Sequence, residues 1–152
     1  MSTRWLCIPL VVLLLSTFAA AKNAEEPLDA LKARAENAKL QDQAQLFATI
    51  ARREVNEADR LYTAGDTSAA TKAVDDLVHY ATRATEAAQK SSKHLKETEI
   101  LLRTTARRLD DVRKTLNFDD RAYVETAVKQ VENLRQQLLD QMFGAPSREK
   151  KP

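Results

Sequence analysis

Glycine and proline are nearly absent from the second half of this chain, which restricts how often it can turn. Residues 66–143 contain neither residue type, and the whole chain holds two glycines and four prolines. Because glycine and proline are the main turn formers, so few of them favour long helices over many short strands. The sequence therefore predicts an all-α fold.

The few breaks divide the chain into long segments. Gly65 interrupts an amphipathic pattern, and Asp66 or its neighbours can cap a following helix. Turn-forming residues recur at Asn117–Asp120, and Gly144 followed by Pro146 is typical of a helix end. These breaks predict three antiparallel helices, at about 27–64, 67–116 and 119–143.

The predicted middle helix carries an apolar or small residue in one unbroken seven-residue register. Such a register indicates a single helix with a coiled-coil-like seam, about 75 Å long for 50 residues. Ser91–Ser92 is a weak point of that helix, and whether the helix bends there is left open. The seam residues are Val74, Ala81, Ala88, Leu95, Leu102, Leu109 and Leu116, alternating with Leu77, Ala84, Ser91, Thr98, Thr105 and Val112.

Folding the outer helices back onto this long helix places large residues opposite small ones. Such alternation allows close interdigitation of helix pairs, giving an elongated hairpin or bundle. We also expect Leu28 and Leu31 to share a three-helix core with Leu134 and Leu138. The expected pairs are Phe47 with Ala84, Ala44 with Ala88, Val55 with Leu77, Val124 with Val112, and Leu134 with Leu102.

The N-terminal segment has the order of a secretory signal peptide. Arg4 precedes an apolar run from Trp5 to Leu15, and small residues follow, with Ala19 and Ala21 forming an A-x-A site. Cleavage is expected before Lys22, which makes residues 1–21 the signal and 22–143 a helical domain. An uncleaved N-terminal membrane anchor is the alternative, although the run is short for a full span. Residues 144–152 are expected to form a flexible tail.

Signal removal would limit the chemistry of the remaining chain. The chain's one cysteine, Cys7, and one tryptophan, Trp5, both precede the predicted cleavage site. Disulfides and thiol catalysis within one mature chain are then excluded. Removing Arg4 leaves a formal charge of about +1, which gives no global field for nucleic acid. A nucleic-acid partner and a further membrane span are therefore not expected.

No group of residues has the spacing of a catalytic or metal site. His79 and His94 are 15 residues apart, without nearby ligand partners in the sequence. Neighbouring residues on a helix point about 100° apart, so the two carboxylates of an acidic doublet do not converge on one ligand. Capping by Asp119 or Asp120 and surface charge explain the three doublets, which are Asp75–Asp76, Asp110–Asp111 and Asp119–Asp120. The prediction is a protein that is not an enzyme, with no catalytic, cofactor-binding or metal-binding residues and no cofactor.

A basic run is the main alternative for ligand binding. Its members, which an anionic polymer or lipid headgroup could contact, are Arg103, Arg107, Arg108, Arg113, Lys114 and Arg121. Glu99 precedes Arg103 by four residues, and Asp110 precedes Lys114 by four, which is the favourable order for surface ion pairs. We interpret the run as a solvated helix face.

The stretch from Ala58 to Ala70, ADRLYTAGDTSAA, resembles the inter-helix turn of a tetratricopeptide repeat. The resemblance extends over about residues 50–84. A second 34-residue copy with its own glycine is not present. The resemblance implies a helical hairpin of the kind used for protein–protein contact, with no ligand-binding residues.

These features predict an exported, non-catalytic interaction or structural protein of the cell envelope, adaptor-like, in the periplasm or secreted. A periplasmic holdase-type chaperone and a sensor bundle with a small ligand at the helix junction are the alternatives. The partners expected are other proteins or a second copy, since Ile100, Leu101 and Leu139 can leave an apolar strip uncovered. Whether a small molecule binds is left open.

Overall fold

The computed structural model describes residues 25–144 and confirms the all-α class. The predicted signal peptide at 1–21 and the tail beyond Gly144 lie outside these residues. No helix within 25–144 is long and apolar enough to cross a membrane. The described part contains five helices: α1 (Leu28–Asn37), α2 (Leu40–Thr63), α3 (Thr67–Ser91), α4 (Leu95–Thr115) and α5 (Phe118–Phe143).

The turn between α2 and α3 lies at Gly65, as predicted. Gly65 has a φ of +80°, and its backbone N–H donates to Tyr62 O at 3.0 Å, while the N–H of Asp66 donates to Leu61 O at 3.0 Å. This pair of bonds is a Schellman motif, which glycine favours because it has no Cβ. Asp66 then caps α3 by accepting a hydrogen bond from the N–H of Ala69 at 3.0 Å.

The predicted break near residue 117 is also present, but its capping residue differs from the prediction. The Asn117 side chain accepts a hydrogen bond from the N–H of Asp120 at 3.0 Å, so α5 begins at Phe118 rather than at Asp119. The expected capping by Asp119 or Asp120 is therefore wrong. The helix ends at Gly144, whose φ is +82°.

The prediction of one long middle helix is wrong. The chain reverses between α3 and α4, where Ser92 and His94 have left-handed φ values of 52° and 57°. Ser91 supports this turn, because its Oγ donates to Ala87 O at 2.7 Å and accepts from the N–H of Lys93 at 3.2 Å. The seven-residue register continues through the turn, but the helix does not.

The first predicted helix is also divided. Ala38 and Lys39 are extended, with ψ values of 159° and 147°, and α1 folds back along α2. Leu28 and Leu31 therefore pack in a cluster with Phe47 and other residues of α2 and α3. The expected core of Leu28 and Leu31 with Leu134 and Leu138 is wrong, because the fold-back carries α1 to the other side of α2.

The four long helices form two antiparallel hairpins, α2–α3 and α4–α5, which stack on each other. Helix α2 contacts α3 and α4 but not α5, and α3 contacts α5 more extensively than it contacts α4. Going around the bundle, the order is therefore α2, α3, α5, α4. Helix α1 contacts α2 and lies on the side of the first hairpin away from the second.

Polar contacts fix the relative direction of the stacked helices. Helices α2 and α4 run in the same direction, since Gln45 Nε2 lies 3.0 Å from His94 Nδ1 and Arg108 donates to Asp59 at 2.7 Å. Helices α3 and α5 are likewise parallel. Tyr123 bonds Asp75 near their N-terminal ends, and Gln141 donates to Gln89 O at 3.3 Å near their C-terminal ends.

The main core lies between the two hairpins and uses most of the predicted seam. Leu77, Leu102 and Leu109 are fully buried there, together with alanines from α2 and α3. Leu40, at the start of α2, is 45% exposed and lies outside this core. Several predicted pairs have both members in one cluster: Val55 with Leu77, Ala44 with Ala88, Leu102 with Leu134, and Phe47 with Ala84.

Candidate interaction surface

The two histidines lie apart on the surface. His79 is exposed on α3 with its ring edge against Tyr80, at a centroid separation of 5.1 Å. His94 precedes α4, where its Nδ1 faces Gln45 Nε2. No group of three or more His, Cys, Asp or Glu residues among residues 25–144 has the arrangement to hold a metal ion.

The acidic doublet Asp75–Asp76 is divided between different partners. Asp75 bonds the hydroxyl of Tyr123, and burial, followed by this bond and the Asp75 charge, raises the pKa of Tyr123 to about 12. Asp76 instead accepts from Lys32 Nζ at 3.3 Å. Because the two carboxylates of this doublet serve different helices, they do not converge on a common ligand.

The basic run on α4 is largely neutralised by acidic residues. Lys114 lies 2.9 Å from Asp110, and Arg103 lies 3.8 Å from Glu99, which are the two ion pairs expected from the sequence. Arg108 reaches across to Asp59 on α2. Hydrogen bonds from Lys114 and Arg113 also hold the pKa of Asp110 below its usual range. The predicted solvated, ion-paired face agrees with these contacts.

An ion pair between α1 and α2 was not recognised in the sequence. Glu54 is only 3% exposed, and its Oε1 lies 2.7 Å from Lys32 Nζ. Lys32 also bonds Asp76 on α3, and its ammonium lies 5.3 Å from the centre of the Tyr80 ring. The one sequence signal is the position of Glu54, which lies on the apolar face of α2 between Ala51 and Val55.

A second contact fixes the other end of α1. The Arg83 guanidinium bonds both carboxylate oxygens of Glu36, one of them at 2.7 Å. Its carbon lies 4.1 Å from the centre of the Phe47 ring, which gives a cation–π contact. The two ion pairs therefore attach α1 to both helices of the first hairpin.

Burial dominates the electrostatics of Glu54. Removal from water raises the pKa of Glu54, and the hydrogen bond from Lys32 opposes that rise. The groups of this cluster bond one another and leave no nucleophile beside a base. Its chemistry is that of an internal anchor for α1.

Two shallow clefts flank α1, and both are open to solvent. The larger has a volume of about 460 Å³ at the corner between α1 and α2, where Arg34, Asp42 and Gln45 contribute to its wall. The smaller, about 280 Å³, lies beside Leu28 and Arg53. Neither is enclosed in the way that is usual for small-molecule sites.

The outward side of α5 has an unusual composition for this highly charged chain. Five amide side chains lie exposed within a twelve-residue stretch of the helix. Gln136 donates to Asp140 at 2.7 Å and Gln141 reaches Gln89 O, while the other three make no hydrogen bond within residues 25–144. We call this surface the amide face: Gln130, Asn133, Gln136, Gln137 and Gln141.

Comparison of the chain with protein-family models, curated proteins and solved structures gives no significant match.

Proposed function

We propose that this protein is an exported, non-catalytic helical interaction protein of the cell envelope, with an adaptor-like role. The observation that carries the proposal is the amide face of α5, which we assign as the contact surface for a protein partner. The signal-like N-terminal segment supports export. The polar clusters described above each have an internal structural role.

The chemistry of amide side chains suits a specific protein contact. Each amide group offers donors and an acceptor, so Gln130, Asn133 and Gln137 can pair with backbone or side-chain groups of a partner. Losing water from a neutral amide costs less than losing it from a charge. A row of exposed amides on a rigid helix therefore provides directional hydrogen bonds at a moderate desolvation cost.

The exposed hydrophobic residues favour this proposal over a holdase-type chaperone. A holdase requires a continuous apolar surface for unfolded clients. The large exposed hydrophobic side chains within residues 25–144 lie instead at separate places. Leu40 and Phe143 lie at one end of the bundle, Phe118 at the other, and Ile100 and Tyr123 on α4 and α5.

Charge introduced into the amide face is expected to abolish partner capture. A photoreactive residue at Gln137 should crosslink one envelope protein in intact cells. The double substitution Gln130→Glu and Asn133→Glu should reduce that crosslink at least about tenfold, because each new carboxylate must lose its water when the partner binds. The readout is the yield of the crosslinked species in the envelope fraction.

The matched control introduces the same number of carboxylates at exposed residues of other surfaces. Asn56→Glu on α2 and Thr104→Glu on α4 should leave the Gln137 crosslink unchanged. Equal losses from both double variants would remove the amide face from the proposal. A chain found only in the cytoplasm with residues 1–21 intact would contradict export.

A further inference from the structure

We propose that the α3–α4 turn is a hinge through which this chain exchanges its α4–α5 hairpin with a second copy of itself. In the exchanged dimer, α3 and α4 join into one continuous helix. The α4–α5 hairpin of each chain then packs on the α2–α3 hairpin of the other. This inference concerns self-association and does not depend on the proposed envelope partner.

Backbone strain at the turn favours opening. Ser92 and His94 both have left-handed φ values although neither is glycine. The left-handed conformation brings Cβ close to the carbonyl oxygen. A residue other than glycine therefore populates it about tenfold less, or lower still, than the right-handed helical conformation. Both residues lose this strain in a right-handed helix. Short hinges under strain are a recognised cause of domain exchange.

The hydrophobic pattern of the sequence is compatible with a continuous α3–α4 helix. Ala88, Leu95 and Leu102 occupy one position of a seven-residue register that crosses the turn without a shift. No glycine or proline lies within the turn to prevent helix formation. A continuous α3–α4 helix would extend over 49 residues, from 67 to 115, or about 74 Å. Its apolar seam would remain in phase along the whole length.

Two exposed hydrophobic residues lie at the same end of the bundle as the hinge. Phe143 is 80% exposed at the end of α5, and Gln141 of that helix bonds α3 beside the turn. Leu40 is 45% exposed at the start of α2. Gln45, near the same end of α2, bonds His94 of the hinge. When the hinge opens, the two bundles meet at this end. A second copy therefore covers apolar surface that one copy leaves in water.

Exchange retains the contacts that hold the bundle together. Each α4–α5 hairpin finds the same α2 and α3 surfaces on the partner as it had in its own chain. The closed and open forms consequently differ mainly at the hinge and at the new end-to-end contact. Interconversion requires separation of the hairpins, so the two forms should exchange slowly.

Matched substitutions at the hinge test this proposal. Glycine at both Ser92 and His94 relieves the strain of the turn and weakens a continuous helix, whereas alanine at both does the reverse. The association constant for dimerisation should be at least about 100-fold higher for the alanine pair than for the glycine pair. Light scattering after gel filtration of the full chain, incubated at a series of concentrations, measures both constants.

A crosslink distinguishes exchange from simple side-by-side association. Asp59→Cys and Arg108→Cys, in a Cys7→Ser background, place two thiols across the α2–α4 contact for a short bifunctional reagent. In the exchanged dimer the reagent joins two chains, and in the monomer it closes a loop within one. A dimer crosslinked only within single chains, or equal dimerisation of the alanine and glycine pairs, would overturn the proposal.

The same reagent applied to the wild-type hinge keeps the test valid if the alanine pair fails to fold. A concentrated sample that carries both cysteines and the natural Ser92 and His94 should then yield interchain products that persist after rapid dilution. A sample that yields only intrachain products at every concentration would overturn the proposal.

Discussion

Replacing Leu102 by alanine is expected to lower the free energy of unfolding by about 2–5 kcal/mol. Leu102 is fully buried in the cluster between the two hairpins. Many of its neighbours in that cluster are alanines on long helices, including Ala51, Ala81 and Ala88. Such short side chains have no rotamer freedom with which to fill a cavity, so the loss should fall in the upper part of that range.

Urea denaturation followed by circular dichroism measures this loss. Ile100 provides the control, because it lies on the same helix and is 39% exposed. Ile100→Ala should cost less than about 1 kcal/mol, since much of its side chain already contacts water. If the two substitutions gave similar losses, α4 would not pack with its Leu102 side inward.

Replacing Lys32 by methionine is expected to destabilise the protein at neutral pH by about 1–3 kcal/mol. The change keeps the length and packing of the side chain but removes the cation that faces the buried Glu54 carboxylate. Glu54 then retains its desolvation cost without compensation. The expected loss of stability is smaller than for a fully buried pair because the Lys32 side chain is 23% exposed.

The pH dependence of this loss identifies its cause. Burial raises the pKa of Glu54 in the folded protein. The folded state therefore holds that proton more tightly, and stability falls as pH rises through the range between the unfolded and folded pKa values. Without Lys32 the pKa rises further, so the deficit relative to wild type should be large at pH 7 and small near pH 4.

Arg34→Met is the matched control on the same helix. Arg34 pairs with Glu26, and both side chains are substantially exposed, so its loss should be below about 1 kcal/mol at either pH. Unfolding curves of both variants at the two pH values give the comparison. A Lys32→Met deficit that is the same at pH 4 and pH 7 would show that Glu54 is not the group responsible.

The parts of the fold that were predictable have local causes. Gly65 and Gly144 adopt the positive φ values that glycine favours, and the break between α4 and α5 lies at the turn-forming residues Asn117–Asp120. The α2–α3 pairing follows from large and small residues placed opposite each other. These features depend on residue type and short spacing, which the sequence displays directly.

The unpredicted turns depend on tertiary contacts. At residues 92–94 local pattern favours a continuous helix, yet the chain reverses because stacking the two hairpins buries Leu102 and Leu109 against α2 and α3. The break at Ala38–Lys39 has no glycine or proline to mark it either. In both places the free energy of burial outweighs local helix propensity.

The same dependence explains the surfaces that sequence reasoning missed. Lys32 and Glu54 are 22 residues apart, and their pairing requires α1 to fold back along α2. The amide face becomes apparent only when the buried side of α5 is known. Ion pairs four residues apart, such as Glu99 with Arg103, needed only the helix itself and were predicted.

A distance between α3 and α4 in the monomer tests the two-hairpin architecture most directly. Lys72→Cys and Asp111→Cys place spin labels on exposed positions of these helices, again with Cys7→Ser. Measured at low concentration and diluted with unlabelled protein, the labels should lie within about 30 Å of each other, because α3 and α4 lie antiparallel at opposite corners of one four-helix bundle. A single distance near 60 Å, as expected for 39 residues of continuous helix, would contradict the account.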